Sequence, residues 1–138
     1  MARQHTRPVY FSETGSMQGH LADPLFLPET DLQALVHALP EALPIAEIDP
    51  AFSGAISICR EMNTPAGPID NFLVTSSGLP VLVECKLWRN PQARREVVGQ
   101  VLDYAKELAR WTSADIEREA ARRGVPSVID KVREYEPD

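Results

Sequence analysis

Proline spacing limits this chain more than any other feature. Twelve prolines stand against seven glycines in 138 residues, and Pro24, Pro28, Pro40, Pro44, Pro50, Pro65 and Pro68 crowd the span from 24 to 68. Proline fixes φ and has no N–H, so no long helix runs through such spacing and the first half must consist of short elements.

Residues 1–27 carry a brief Val9-Tyr10-Phe11 run and the glycines Gly15 and Gly19 without periodicity, which reads as an N-terminal arm or flap whose His5 and His20 are incidental. From Pro28 the pattern changes, since Leu32, Leu35, Val36 and Leu39 recur at helical spacing behind a Pro-Glu-Thr-Asp start. This predicts a helix stopped at Pro40. Residues 52–61, 69–75 and 80–87 are rich in β-formers and alternate, and Ser76-Ser77-Gly78 supplies turn chemistry between the last two. They predict an antiparallel three-strand meander.

Asn90-Pro91 then suits a helix start, and Val97, Val98, Val101, Leu102, Ala105 and Leu108 give an apolar face running to about Trp111. Thr112 or Ser113 caps a further, solvated helix ending near Gly124, and residues 126–132 are the one later candidate for a strand. The domain plan is an arm over 1–27, a core over 28–111 and a C-terminal helical extension over 112–138.

Hydrophobic residues are 43% and charged residues 25% of the chain, ordinary globular composition for a single α/β domain. Cys59 and Cys85 stand singly in apolar runs with no CxxC, which points to a reducing, cytoplasmic home without disulfide or zinc. No apolar run approaches the ~18 residues of a membrane span, so no membrane partner is expected. The formal net charge of −6 argues against holding a polyanion by bulk charge. A local site is required.

In the strand 80–87 alternation sets Val81, Val83, Cys85 and Leu87 on one side, expected to face the core, and Leu82, Glu84, Lys86 and Trp88 on the other. Glu84 and Lys86 then stand ~7 Å apart along one face. Folding the hairpin at Gly78 brings Asp70, near the start of the preceding strand, to the same end as Glu84. Two carboxylates at ~4 Å repel by about 4 kcal/mol at an effective dielectric of ~20, so they splay into water, share a proton, or hold a hard cation such as Mg²⁺. Trp88 either stacks on a base or caps the sheet.

Asp70, then Glu84-Cys85-Lys86 fourteen positions later, then Gln100-Val-Leu-Asp-Tyr104 on a helix, resembles the PD-(D/E)XK nuclease superfamily, most closely its RecB and lambda-exonuclease type branch with the Q-x-x-x-Y motif. The resemblance runs from about Glu29 to Trp111. It implies a restriction-endonuclease-like core of helix, three-strand meander and helix, a small mixed sheet flanked by helices. The proline of the family's name stands at Pro68, two before Asp70, and the final core strand is absent or displaced, as in a chain shortened from a longer protein. Such an open edge would invite a homodimer.

Carried over residue by residue, the resemblance makes Asp70, Glu84 and the Cys85 backbone carbonyl ligands of Mg²⁺, with Mn²⁺ able to substitute. Lys86 would orient or help deprotonate the attacking water and stabilise charge at the phosphate. Gln100 and Tyr104, neighbours on one helix face, would steady nucleic acid or the carboxylates, or form a surface pair with Tyr104 anchoring the core edge. Glu29 would stand beside the metal or merely complement the first helix's dipole.

Residues 86–110 hold six basic residues (Lys86, Arg89, Arg94, Arg95, Lys106, Arg110) against three acidic ones, so the positive charge coincides with the site. Arg89, Arg94 and Arg95 are the expected phosphate contacts, or else line a solvated face. The functional expectation is a Mg²⁺-dependent nuclease acting on DNA. The alternative is a catalytically inactive nuclease-like module that binds nucleic acid or protein.

Overall fold

A computed structural model of the chain describes residues 9–11, 17–20, 28–86 and 93–135. The segment read as an arm pairs β1 (Val9–Phe11) with β2 (Met17–His20) in a two-stranded antiparallel sheet of its own. The principal sheet is the expected meander of β3 (Ala55–Thr64), β4 (Gly67–Thr75) and β5 (Pro80–Val83), in spatial order β3-β4-β5. Helices α1 (Glu29–Ala38) and α2 (Ile45–Ile48) precede it; α3 (Ala93–Leu108), α4 (Ser113–Arg122) and α5 (Val128–Arg133) follow.

The prolines divide the chain as their chemistry requires. Pro28 is the N-cap of α1, Pro40 and Pro50 open single 3-10 turns, Pro44 caps α2, and Pro80 begins β5. The turn over Pro50–Phe52 displaces the first strand, which runs 55–64 and not 52–61. At the β4–β5 turn the Thr75 hydroxyl accepts the Leu79 N–H at 2.9 Å, and Gly78 adopts φ 89, which glycine tolerates without a Cβ clash.

Four expectations need correction. The sheets are antiparallel throughout, not mixed. Residues 126–132, the candidate closing strand, contribute to α5, and among the described residues no strand follows β5. Here Ser127 accepts the Asp130 N–H and begins a helix, so local capping outweighs the β-branched residues. The β4–β5 ladder stops at Val83, so Glu84, Cys85 and Lys86 extend beyond it without strand partners.

The fourth correction concerns the core. Phe72, Val74, Ile58, Cys59, Tyr104, Ala120 and Val128 form one buried cluster, with Leu82, Leu108, Ile116 and Val132 packed against it. The main core therefore lies on the Leu82 side, the side of Glu84, and α4 and α5 complete it instead of standing solvated. The opposite side is covered too. There α1 buries Gln33 and Val36, and the Asn71 side chain, 1% exposed, donates to the Gln33 carbonyl at 2.9 Å. Leu35 and Leu39, read from periodicity as inward, remain exposed, as do Val98 and Leu102 of α3. Among the described residues no helix is long and apolar enough to cross a membrane.

Candidate metal and phosphodiester site

The sheet register creates the site. Asn71 pairs with Val83, and continuing that register by one residue sets Glu84 opposite Asp70. Where the ladder ends, the Asp70 carboxylate substitutes for a strand partner, its Oδ2 accepting the Cys85 backbone N–H at 2.7 Å. Asp70 is itself buried. The same side chain thus faces Glu84 and fixes the backbone that carries it.

Glu84 extends from the core side of the sheet with its side chain 2% exposed. Its Oε1 takes a hydrogen bond from the Lys86 ammonium at 2.8 Å, while Oε2 is buried with no hydrogen-bond partner. Burial pushes the Glu84 carboxyl above its ordinary pKa, the Lys86 hydrogen bond pulls against that, and the negative charge of Asp70 adds to the rise. Lys86 is held above its ordinary value by its bond to Glu84, so it stands as a cation at neutral pH.

Three supporting residues bear on this centre. The charge of Glu29, first residue of α1, acts on both Cys85 and Lys86, and the Asn71–Gln33 bond ties its helix to the strand beside Asp70. Gln100 Nε2 donates to the Tyr104 hydroxyl at 2.7 Å, and Tyr104, 1% exposed, belongs to the core cluster. Burial raises the Tyr104 pKa, with Glu84 and Asp70 adding to the rise, so its hydroxyl end lies within electrostatic reach of both carboxylates. Core anchor and site neighbour are one residue.

The Cys85 thiol is pushed up to about 11 by burial and the surrounding carboxylates, which removes it as a nucleophile at neutral pH. Of the expected phosphate contacts, Arg95 is exposed on α3, while Arg89 and the side chain of Arg94 lie outside the described residues, as does Trp88.

Asn71 and Glu61 escaped the sequence reading. Asn71 is a buried amide directly after Asp70 in an otherwise apolar run, which was the available signal. Glu61 falls opposite Asp70 on β3 and is the single non-glycine residue with positive φ (55) among the described residues. Backbone of that kind costs of order 1–3 kcal/mol and leaves no sequence signature in a glutamate.

Among the described residues no three His, Cys, Asp or Glu side chains group as a metal cage. The donors present are two carboxylates, a set suited to a hard cation that keeps water or substrate oxygens. The bare Glu84 Oε2 is the feature that fits one, because a buried carboxylate oxygen without a donor is costly unless a cation or proton meets it. Comparison of the chain with protein-family profiles, with characterised proteins and with solved structures returns no match.

Proposed function

We propose that this chain is a metal-dependent nuclease that hydrolyses phosphodiester bonds, DNA being the expected substrate. The observation that carries the reading is the pairing of Asp70 with Glu84, whose Oε2 is buried without a donor while Lys86 sits 2.8 Å from Oε1. Asp70 and Glu84 would hold Mg²⁺ or Mn²⁺, with the Cys85 carbonyl as a third oxygen. Such a cation supplies Lewis-acid charge to the phosphate and lowers the pKa of a water it coordinates.

The chain's own residues do the rest. Lys86, kept protonated by Glu84, acts first as a positive charge beside the phosphate and as an orienting donor to water. Gln100 and Tyr104 brace the carboxylate side from α3, and Glu29 adds negative charge from α1. The likeness to PD-(D/E)XK nucleases in the order of Asp, E-x-K and Q-x-x-x-Y along the chain supports the same reading.

A second reading, an inactive module of this architecture that binds nucleic acid or protein, draws on the exposed Val98 and Leu102 of α3 and on the engagement of Lys86 by Glu84. Cleavage of labelled DNA with Mg²⁺ or Mn²⁺, wild type against Asp70→Asn and Lys86→Ala, separates the two. The nuclease reading expects activity in wild type alone and none in excess chelator. Equal activity in all three proteins, or persistence in chelator, overturns it, and metal binding by calorimetry without cleavage favours the module.

A further inference from the structure

The outer edge of β3 carries a row of cations that the local charge pattern around residues 86–110 does not contain. Arg60 stands on the strand itself and donates to the Thr30 carbonyl of α1 at 3.4 Å. Lys131 of α5 donates to the Ile58 carbonyl at 3.4 Å, and Arg123, just past α4, donates to the Asn63 side-chain oxygen at 3.0 Å. The strand itself and the C-terminal helical segment, 60 or more residues later, thus deliver cations to one strand edge. Ile58 and Asn63 are five residues apart, which at ~3.3 Å per residue makes the row roughly 16 Å long.

Arg110, Arg118 and Arg122 each pair with a carboxylate, whereas among the described residues none of Arg60, Arg123 and Lys131 has one within 4 Å. Glu61 and Asp130, adjacent in sequence to Arg60 and Lys131, make no such pair. The positive field has two internal witnesses. His37 of α1 is held below its ordinary pKa by burial and then by Lys131 and Arg60; the Cys59 thiol is raised by burial and pulled back by Arg123 and Lys131. Among the described residues, an acidic protein gathers positive charge without carboxylate partners along one edge.

We propose that the β3 edge, through Arg60, Arg123 and Lys131, is a contact surface for the phosphate backbone of a nucleic acid. A row of about 16 Å matches roughly five nucleotides of one strand at ~3.4 Å of axis each. Arg60, between the other two contacts, lies across the ladder from Asn71, the neighbour of Asp70, about one strand spacing, ~4.8 Å, from the strand that carries part of the proposed site. Cations held against backbone and amide oxygens keep spare donors for phosphate. The choice of nucleic acid over another polyanion rests on the nuclease reading of Asp70, Glu84 and Lys86; the charged row itself does not.

The test is oligonucleotide binding by fluorescence anisotropy in chelator, so that cleavage plays no part, across a salt series. Each phosphate contact contributes ~0.7 to 0.9 to the slope of log K against log salt, so the triple variant Arg60→Gln, Arg123→Gln, Lys131→Gln should lower the slope by about 2 to 3. The charge-preserving triple Arg60→Lys, Arg123→Lys, Lys131→Arg should keep it. Circular dichroism and Tm establish that both remain folded. An unchanged slope in a folded neutral triple overturns the proposal and leaves the cations as guards against edge pairing. Loss of binding to anionic vesicles or to a poly-glutamate peptide, with oligonucleotide binding intact, overturns it as well. The two readings fail separately: metal-dependent cleavage with an unaltered slope sinks this one alone, and a lost slope without any cleavage sinks the nuclease alone.

Discussion

Asp70 accepts the Cys85 amide hydrogen at 2.7 Å, which makes one carboxylate both a candidate metal ligand and the fastening of the segment that carries the other. Asp70→Ala therefore loses structure as well as chemistry. Stranding the buried Cys85 N–H should cost about 1–3 kcal/mol in urea unfolding. Asp70→Asn retains an acceptor oxygen and should lie within about 1 kcal/mol of wild type while losing cleavage. If the two variants unfold at the same urea concentration, the fastening role is wrong.

Glu84 Oε2 should make metal binding visible as stability. A ligand at 100 times its Kd adds ~2.7 kcal/mol to a fold that alone binds it, so Mn²⁺ should raise the Tm of wild type by several degrees. Glu84→Gln should abolish that rise. An equal Mn²⁺ shift in wild type and Glu84→Gln would place the ion elsewhere.

Tyr104 should divide its two roles between two substitutions. Tyr104→Ala removes a ring that is 1% exposed and should cost about 3–5 kcal/mol, as large buried aromatics do. Tyr104→Phe keeps the ring and removes only the acceptor of the Gln100 bond, a loss of about 1 kcal/mol. We expect a several-fold fall in cleavage rate from the Phe variant; an unaltered rate would confine Tyr104 to the core.

Acid should weaken α4 in a defined window. The Thr112 backbone N–H, its hydroxyl and Arg118 hold the Asp115 carboxyl down to about 2 from an ordinary 3.8. Between those values the unfolded chain binds more protons than the folded one, so the contribution of Asp115 is intact above 3.8 and lost as pH falls towards about 2. In acid unfolding the stability gap between wild type and Asp115→Asn should close across that interval. A gap constant with pH would mean that the capping box does not act through charge.

The elements were more legible than their faces. Proline punctuation and the Thr112 cap are local chemistry, and α1 and α4 begin and end close to where that chemistry says, whereas the first strand is shifted, the third stops at Val83, and the Ser127 cap was hidden in a segment that reads as a strand. Which face turns inward is a tertiary matter. On α1 the chain buries Gln33 and leaves Leu35 out, and the Gln33 backbone carbonyl meets the Asn71 amide on the sheet. On α3 it buries Tyr104 and leaves Leu102 in solvent. Hairpin geometry alone placed Asp70 against Glu84, since a tight turn sets the register on both sides of it. The cation row on β3 was invisible, as Arg60, Arg123 and Lys131 meet only when the last two helices fold back onto the sheet.

The four-residue ladder of β5 ends just before the candidate site begins. Glu84, Cys85 and Lys86 are an overhang, outside the hydrogen-bonded lattice that keeps the hydrophobic interior together. Every rung between β4 and β5 is made by residues that precede that tripeptide. The backbone lattice of the sheet is thus complete without the three residues on which the proposed chemistry rests, and what holds them is the Asp70 carboxylate.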